Sequence, residues 1–374
     1  MKRALVVAGL ACLLLAAGLG WSWSQWTQRW PTGPRYVTQR VRVPSGMSAA
    51  ALADTLCARG LLRHRLVLLA GARLTGQGRR LQAGLFEVPP GLPVRDLLAL
   101  FTRPGLPPVR VTIPEGLDAP QTARLLAAAF GCDPTEFLDA ANRLTAQLRG
   151  QRGGPAGAVA SARLDSVLVS EAARAGRVFH RCEGYLAPDT YFFAEDTPAI
   201  TAAARLVEAQ FARLDSLLAG PRSPAAAGLS AHELLTLASI IEAETSRPDE
   251  RARVGAVYLN RLRLGMNLAA DPTVAFATQK KGQRLLYRDL EVESDWNTYR
   301  RSGLPPGPIG SPGMASLRAA ARPDPACRAV FFVADGQGGH VFSNTAQEHE
   351  EAVRRYRARR DAALAGAGAR GGNR

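Results

Sequence analysis

The stretch Ser230-Ala231-His232-Glu233-Leu234-Leu235-Thr236-Leu237-Ala238-Ser239-Ile240-Ile241-Glu242-Ala243-Glu244-Thr245 decides how the rest of the chain is read. It opens with Ser-x-x-Glu, the pattern of a capping box, in which a hydroxyl and a carboxylate each satisfy a backbone N–H left over at a helix start. At about 100° per residue the apolar face is centred near Leu234 and Ile241. Glu244 falls on one flank of that face, between Leu237 and Ile240, and Glu242 on the other, between Leu235 and Ala238. The two glutamates border a buried stripe and point to opposite sides, so they cannot form the facing carboxylate pair of a hydrolytic glycosidase. A carboxylate at the edge of an apolar surface loses hydration, which raises its pKa and suits it to proton donation near neutral pH. Both can equally be ordinary solvated helix residues, the commoner fate of glutamate, and periodicity does not choose between them.

Downstream, Ser246-Arg247-Pro248-Asp249 reads as the next helix cap. Its helix runs through Val254, Val257, Tyr258 and Leu262 to a stop at Gly265, carrying Asn260 and Arg261. Asp271-Pro272-Thr273 follows; Asp271 either caps a helix with Pro272 as its first residue or offers a short polar side chain to a sugar hydroxyl. Residues 330–333 and 340–342 read as strands, so the segment 181–360 is expected to be an α+β domain rather than an all-helical one. Upstream, the patterns alternate between strand and helix: a strand over Tyr36–Val43, a helix over Ser48–Arg59, a strand over Gly84–Val88 and a helix through Val94, Leu97, Leu98 and Leu100. This makes 37–108 a small α+β module. A third unit starts with a strand at Val109–Ile113 and a helix near Ala119. Residues 109–180 connect the two, with a Gly-, Ala-, Ser- and Arg-rich insertion at 149–180 expected to be flexible. Residues 361–374 are expected to be a disordered tail.

At the N-terminus Lys2 and Arg3 precede an apolar run from Ala4 to Trp23, roughly the 20 residues a helix needs to span a bilayer. Trp21, Trp23 and Trp26 stand where interfacial aromatics do, and the positive-inside bias leaves the rest of the chain outside the cytoplasm. Residues 1–24 are therefore read as the cytoplasmic N-terminus and a single-pass anchor, with 25–36 as a linker. A cleaved signal peptide ending near Gly18-Leu19-Gly20 is the rival, and it exports the same chain. The formal charge is +15 at neutral pH, and lysine occurs only at Lys2, Lys280 and Lys281. Such a balance suits an acidic partner, but there is no RNA-binding signature, zinc-finger spacing or basic-helix dimer pattern, so nucleic acid is not expected. Cys12, Cys57, Cys132, Cys182 and Cys327 contain no CxxC pair, and His340 has no ligand partner at helical spacing, so no metal is expected.

These residues resemble a family. Leu237-Ala238-Ser239-Ile240-Ile241-Glu242-Ala243-Glu244-Thr245 resembles the A-S-I-x-E-x-E-T signature of the MltG (YceG-like) endolytic murein transglycosylases. So do Val257–Leu262, Gly265-Met266, Leu268 and Asp271–Val274; upstream Glu183-Gly184-Tyr185-Leu186 with Pro188-Asp189-Thr190-Tyr191; and downstream Asn297-Thr298-Tyr299, Gly303–Ile309, Pro312-Gly313 and Gly338–Phe342. The module at 37–108 resembles the family's LysM-like part. Ala187 stands where the pattern has an aromatic and Trp296 where it has Tyr, departures expected to alter a sugar cleft.

The resemblance implies a lytic transglycosylase that cleaves the MurNAc–GlcNAc bond of nascent peptidoglycan and leaves 1,6-anhydro-MurNAc ends. It needs no cofactor, acts at the outer face of the cytoplasmic membrane, and is placed close to peptidoglycan synthases. The family's catalytic residue maps onto Glu244. Asn260, Asp271, Asn297 and Tyr299 are expected to shape the cleft, with Glu183 as a further acidic residue. The competing readings are a catalytically silent peptidoglycan-binding scaffold and a hydrolase that recruits Glu183 or Asp271. A pyridoxal-phosphate lyase is a further one, which lacks a suitable lysine.

Overall fold

A computed structural model of the chain describes residues 2–27 and 37–371. Helices and strands are mixed, and compactness divides the chain into two units, Met1–Val109 with Phe192–Asp196, and Arg110–Tyr191 with Thr197–Arg374.

The smaller unit holds α1 (Lys2–Thr27), β1 (Gln39–Val43), α2 (Ala49–Ala58), α3 (Arg65–Leu74), β2 (Gly84–Val88) and α4 (Val94–Leu100). β1 and β2 pair antiparallel, from Gln39 opposite Val88 to Val43 opposite Gly84. Strand alternation sends Val41 and Val43 into the core and Arg40 and Arg42 outward, where they pair with Glu87, Glu195 and Asp196. The core is Val41, Leu52, Leu56, Leu68, Phe86, Leu97, Leu98 and Phe101. Ser48 caps α2 by accepting the Ala51 N–H. α1 continues to Thr27 where a linker is expected from residue 25, and Trp26 packs on the core of this unit. Residues 28–36 lie outside the described set. Among the described residues no helix is long and apolar enough to cross a membrane; the side chains at 1–12, 14 and 15, much of the expected anchor, also lie outside that set.

The larger unit begins within β3 (Val109–Thr112) and continues through α5 (Ala119–Phe130), α6 (Pro134–Ala175), the first half of β4 (Thr190–Phe193), α7 (Ala199–Ala219) and α8 (Ala231–Glu244). It is completed by α9 (Arg251–Arg263), α10 (Asp271–Ala277), α11 (Met314–Ala321), β5 (Phe331–Ala334), β6 (His340–Ser343) and α12 (Ala346–Gly371). β3 pairs with β4 and β5 with β6. Two expectations of irregular chain are replaced by helix. α6 runs on to Ala175 through most of the 149–180 stretch, and α12 runs to Gly371 past residue 361. Alanine and arginine are strong helix formers, and Glu171 ties the far end of α6 down: its carboxylate accepts from Ser294 Oγ (2.8 Å) and the Asp295 N–H (2.9 Å).

α8 is the centre of this unit. The Ser230–Glu233 capping box forms as the sequence predicts, with Ser230 Oγ accepting the Glu233 N–H and Glu233 Oε2 accepting the Ser230 N–H (2.8 Å). Leu234, Leu235, Leu237, Ala238, Ile240 and Ile241 are all fully buried, because α7, α9, α10 and α11 pack around the helix. The loop 303–313 is strapped to it: Ile309 donates its N–H to Ser239 Oγ (3.1 Å) and Gly313 donates to Glu242 (2.9 Å). Gly184, at φ 79°, lets this loop approach, since a Cβ there would overlap Pro308.

Candidate active site

Geometry separates the two glutamates that periodicity leaves equal. Glu242 is spent on the fold. It pairs with Arg251 (2.9 Å), which lies on α9, as well as accepting the Gly313 N–H. Glu244 is the last residue of α8, after which Thr245 leaves the helical conformation. It has no basic partner at ion-pair distance among the described residues. Its one hydrogen bond there comes from Tyr258, a buried residue of α9 whose hydroxyl donates to Oε2 (3.0 Å).

Burial pushes the Glu244 carboxyl up to about 7, against the pull of the Tyr258 hydrogen bond; the Asp271 charge raises it further, while His340 and Arg261 lower it. The residue is nonetheless only half-buried as a whole, so an acid set deep in the protein stays within reach of a ligand. Tyr258 holds Oε2, which leaves Oε1 as the oxygen positioned to carry a transferable proton.

Asp271 belongs to this site, though not as a cap. α10 is capped by Ala270 without a side-chain bond, and Asp271 Oδ1 instead accepts the Tyr299 hydroxyl (2.6 Å). Both Asp271 and Tyr299 lie within electrostatic range of Glu244. Ala269, just ahead of Asp271, adopts φ 47°, a conformation costing about 1–3 kcal/mol for a residue with a side chain; its N–H bonds Thr298 O (3.0 Å). The Asp271 and Tyr299 segments are thereby locked to each other.

The remaining expected residues serve differently. Asn297 is fully buried: its amide donates to Leu290 O (2.9 Å) and Val292 O (2.8 Å), and its carbonyl accepts the Tyr299 N–H (3.0 Å). It shapes the loop that presents Tyr299. Asn260 donates to the carbonyls of Cys327 (3.2 Å) and Ala329 (3.0 Å), which fixes the approach to β5. Glu183 lies in a different place, against the start of α5, where Oε2 accepts the Ala119 N–H (3.1 Å). Burial, and then the Asp118 charge, push its carboxyl up to about 8. Ala187 and Trp296, expected near the sugar cleft, are core residues. Ala187 is fully buried, and Trp296 stacks on Phe179 (5.0 Å) and donates Nε1–H to Gly307 O (3.0 Å).

Three members of the site carry little signal in sequence. Tyr258 occupies an apolar helix position and reads as core. Arg261 bonds the carbonyls of Val330 (2.6 Å) and Leu268 (2.5 Å) and adds a positive charge behind Glu244. His340 is pinned by Glu250, which accepts from Nδ1 (2.7 Å) and from the backbone N–H (3.0 Å). A second half-buried histidine, His232, lines a cavity of about 460 Å³ with Arg149, Arg152, Tyr185 and Phe211. Its Nε2 meets Pro306 O (2.8 Å) and its Nδ1 the Tyr185 hydroxyl (2.9 Å). Burial drives it down to about 4. It is neutral, protonated on Nε2, and engaged at both nitrogens, which makes it a structural residue.

Fold and site together define a two-unit α+β protein whose larger unit holds one uncompensated, partly open glutamic acid at the end of a buried helix. The chain belongs to the YceG-like family, whose model matches residues 41–355. It is 29% identical over 332 residues to an endolytic murein transglycosylase of Bacillus subtilis, covering 85% of each chain. It is 29% identical to the endolytic murein transglycosylase of Streptococcus pneumoniae D39, of which the match covers 58%. Among solved structures it resembles a YceG-like protein of Listeria monocytogenes at a TM-score of 0.52 and 25% identity, covering 84% of this chain and 98% of that one.

Proposed function

We propose that this protein is an endolytic murein transglycosylase and that Glu244 is its acid and base. Family membership and the two named relatives support the activity. The observation that carries the assignment of Glu244 is its environment: a carboxyl desolvated to a pKa near neutrality, oriented by Tyr258 and without a salt-bridge partner among the described residues. Protonated Glu244 donates to the oxygen linking MurNAc to GlcNAc. As that bond breaks, the anomeric carbon gains oxocarbenium character and Glu244 becomes a carboxylate. It then accepts the proton of the C6 hydroxyl of the same MurNAc, whose oxygen closes onto the anomeric carbon to give the 1,6-anhydro end. The nucleophile belongs to the substrate, so positioning replaces a second catalytic carboxylate. Tyr299 and Asp271, within electrostatic range of the carboxyl, are the residues we assign to sugar hydroxyls.

Asp271 also favours a second reading, hydrolysis, since a carboxylate near the acid is what activation of water requires. Identifying the new glycan ends by mass spectrometry separates the two. Anhydro-MurNAc ends support the transglycosylase, reducing MurNAc ends support the hydrolase, and intact strands support the silent scaffold.

The sequence run Ala4–Trp23 supports a single-pass anchor that holds the enzyme at the outer face of the cytoplasmic membrane. The small unit with its paired β1 and β2 is the LysM-like candidate for holding glycan. Peptidoglycan synthases are the partners that a substrate of nascent strands implies.

A further inference from the structure

The end of α1 is not a free tether. Trp26 lies against Gly71 of α3 so closely that a Cβ on Gly71 would overlap its ring. The Trp21 ring packs edge-on against His64, the residue that precedes α3, with centroids 5.0 Å apart. These contacts run in step along both elements. Trp21 and Trp26 are about 7.5 Å apart along α1, and His64 and Gly71 about 10 Å apart along α3, at 1.5 Å per residue. α3 therefore climbs beside α1 in the same direction, with its first turn at the level of Trp21 and its last turn farther along.

That fixes a height for each exposed residue of α3. Leu66 is 75% exposed and Leu74 is 88% exposed, and neither is explained by the core of the unit. Leu66 shares the level of Trp21 and Trp23, which are themselves 51% and 69% exposed, and it is flanked by exposed Arg63 and Arg65. Arg65 pairs with Asp54 (2.6 Å), and both side chains stay about half open to solvent. Leu74 lies about 12 Å higher along α3.

We propose that residues 63–66 rest on the bilayer surface, with Leu66 set among the lipid chains at the depth of Trp21 and Trp23, and with Arg63 and Arg65 against anionic phosphate headgroups. The proposal rests on the anchor reading of α1 given above: if α1 spans the membrane up to its tryptophans, the contacts with His64 and Gly71 carry the start of α3 to the same plane. Indole rings favour that plane, arginine stems extend along apolar surface while their heads reach phosphate, and each cation near an anionic surface adds to the attraction. The small unit is then held at a fixed height and orientation above the membrane, in place of swinging on a tether.

The full-length protein in nanodiscs of phosphatidylcholine and phosphatidylglycerol tests this. A photo-reactive diazirine residue is placed singly at Leu13, Leu66 or Leu74, all exposed positions, and lipid adducts are counted by mass spectrometry after illumination. The expected result is lipid adducts at 13 and at 66, with at least tenfold fewer at 74. Adducts at 13 with none at 66 would overturn the surface contact while leaving the anchor intact. Equal adducts at 66 and 74 would overturn the height assignment. Absence of adducts at 13 would remove the anchor reading and this proposal with it.

Discussion

Glu242 and Glu244 stand two positions apart on one helix, and their partners assign them opposite tasks. Glu242 is neutralised by Arg251 and tied to Gly313, whereas Glu244 meets a phenol, a distant cation and a second acid. Three outcomes follow from its surroundings. A general acid must be protonated, so the rate of strand cleavage should fall as pH rises through about 7. Tyr258→Phe removes the bond that favours the charged form, so the alkaline limb of the pH–rate profile should move to higher pH, with a loss in kcat of roughly tenfold from poorer orientation. An unmoved limb would show that Tyr258 does not act on the acid. Asp271→Asn removes a negative charge that raises the Glu244 pKa, so its limb should move to lower pH. Glu183 offers a separate titration. Its folded pKa of about 8 stands above an ordinary value of 4.5. The unfolded chain therefore ionises first, and this group subtracts stability progressively from about pH 4.5 to about 8. Glu183→Gln should gain stability relative to the parent across that window, by up to roughly 3–5 kcal/mol at its upper end, as read by urea unfolding at pH 5 and pH 8.5. A gap that does not widen with pH would remove the buried-acid assignment.

At the scale of elements, α8 was legible because its signals are local: a cap, a box partner three residues on and an apolar face with regular spacing. Ser230→Ala should lower stability by about 1 kcal/mol, measurable as a modest fall in midpoint on chemical unfolding. α6 shows why other elements were less legible. Its glycines and weak periodicity suggest a flexible connection, yet a contact far away in sequence holds it, through Glu171 to Ser294 and Asp295. Glu171→Ala leaves that hydroxyl and N–H without their acceptor and should cost about 2–4 kcal/mol; an effect below 0.5 kcal/mol would mean that the far end of α6 is held by something else. Ser246 does not cap α9: Thr245 Oγ1 accepts the Arg247 N–H (3.1 Å), Arg247 O accepts the Glu250 N–H (3.2 Å) in a turn, and the helix starts only at Arg251. The site was partly legible. Asp271 and Tyr299 lie within electrostatic range of Glu244, whereas Asn260 and Asn297 are absorbed by backbone carbonyls that only the folded loops bring near. Tyr258 and His340 are neighbours of the acid through helix packing and strand pairing, and neither leaves a trace in local spacing.

At the scale of the whole molecule the chain falls into two units. The larger unit carries the acid and everything that tunes it, and the smaller unit carries the strand pair and the docked end of α1. On the function proposed above, cutting the strand falls to the larger unit and holding it to the smaller one, two tasks carried by separate units of one chain. The chemistry is the part most directly open to test. Full-length protein and its Glu244→Gln variant, matched by unfolding midpoint, are each incubated with nascent, uncrosslinked peptidoglycan strands, and the new ends are identified by mass spectrometry. The expected result is 1,6-anhydro-MurNAc ends from the parent and at least a thousandfold fewer from the variant. Anhydro ends formed equally by the folded variant would contradict the assignment of Glu244, and reducing MurNAc ends from the parent would contradict the transglycosylase.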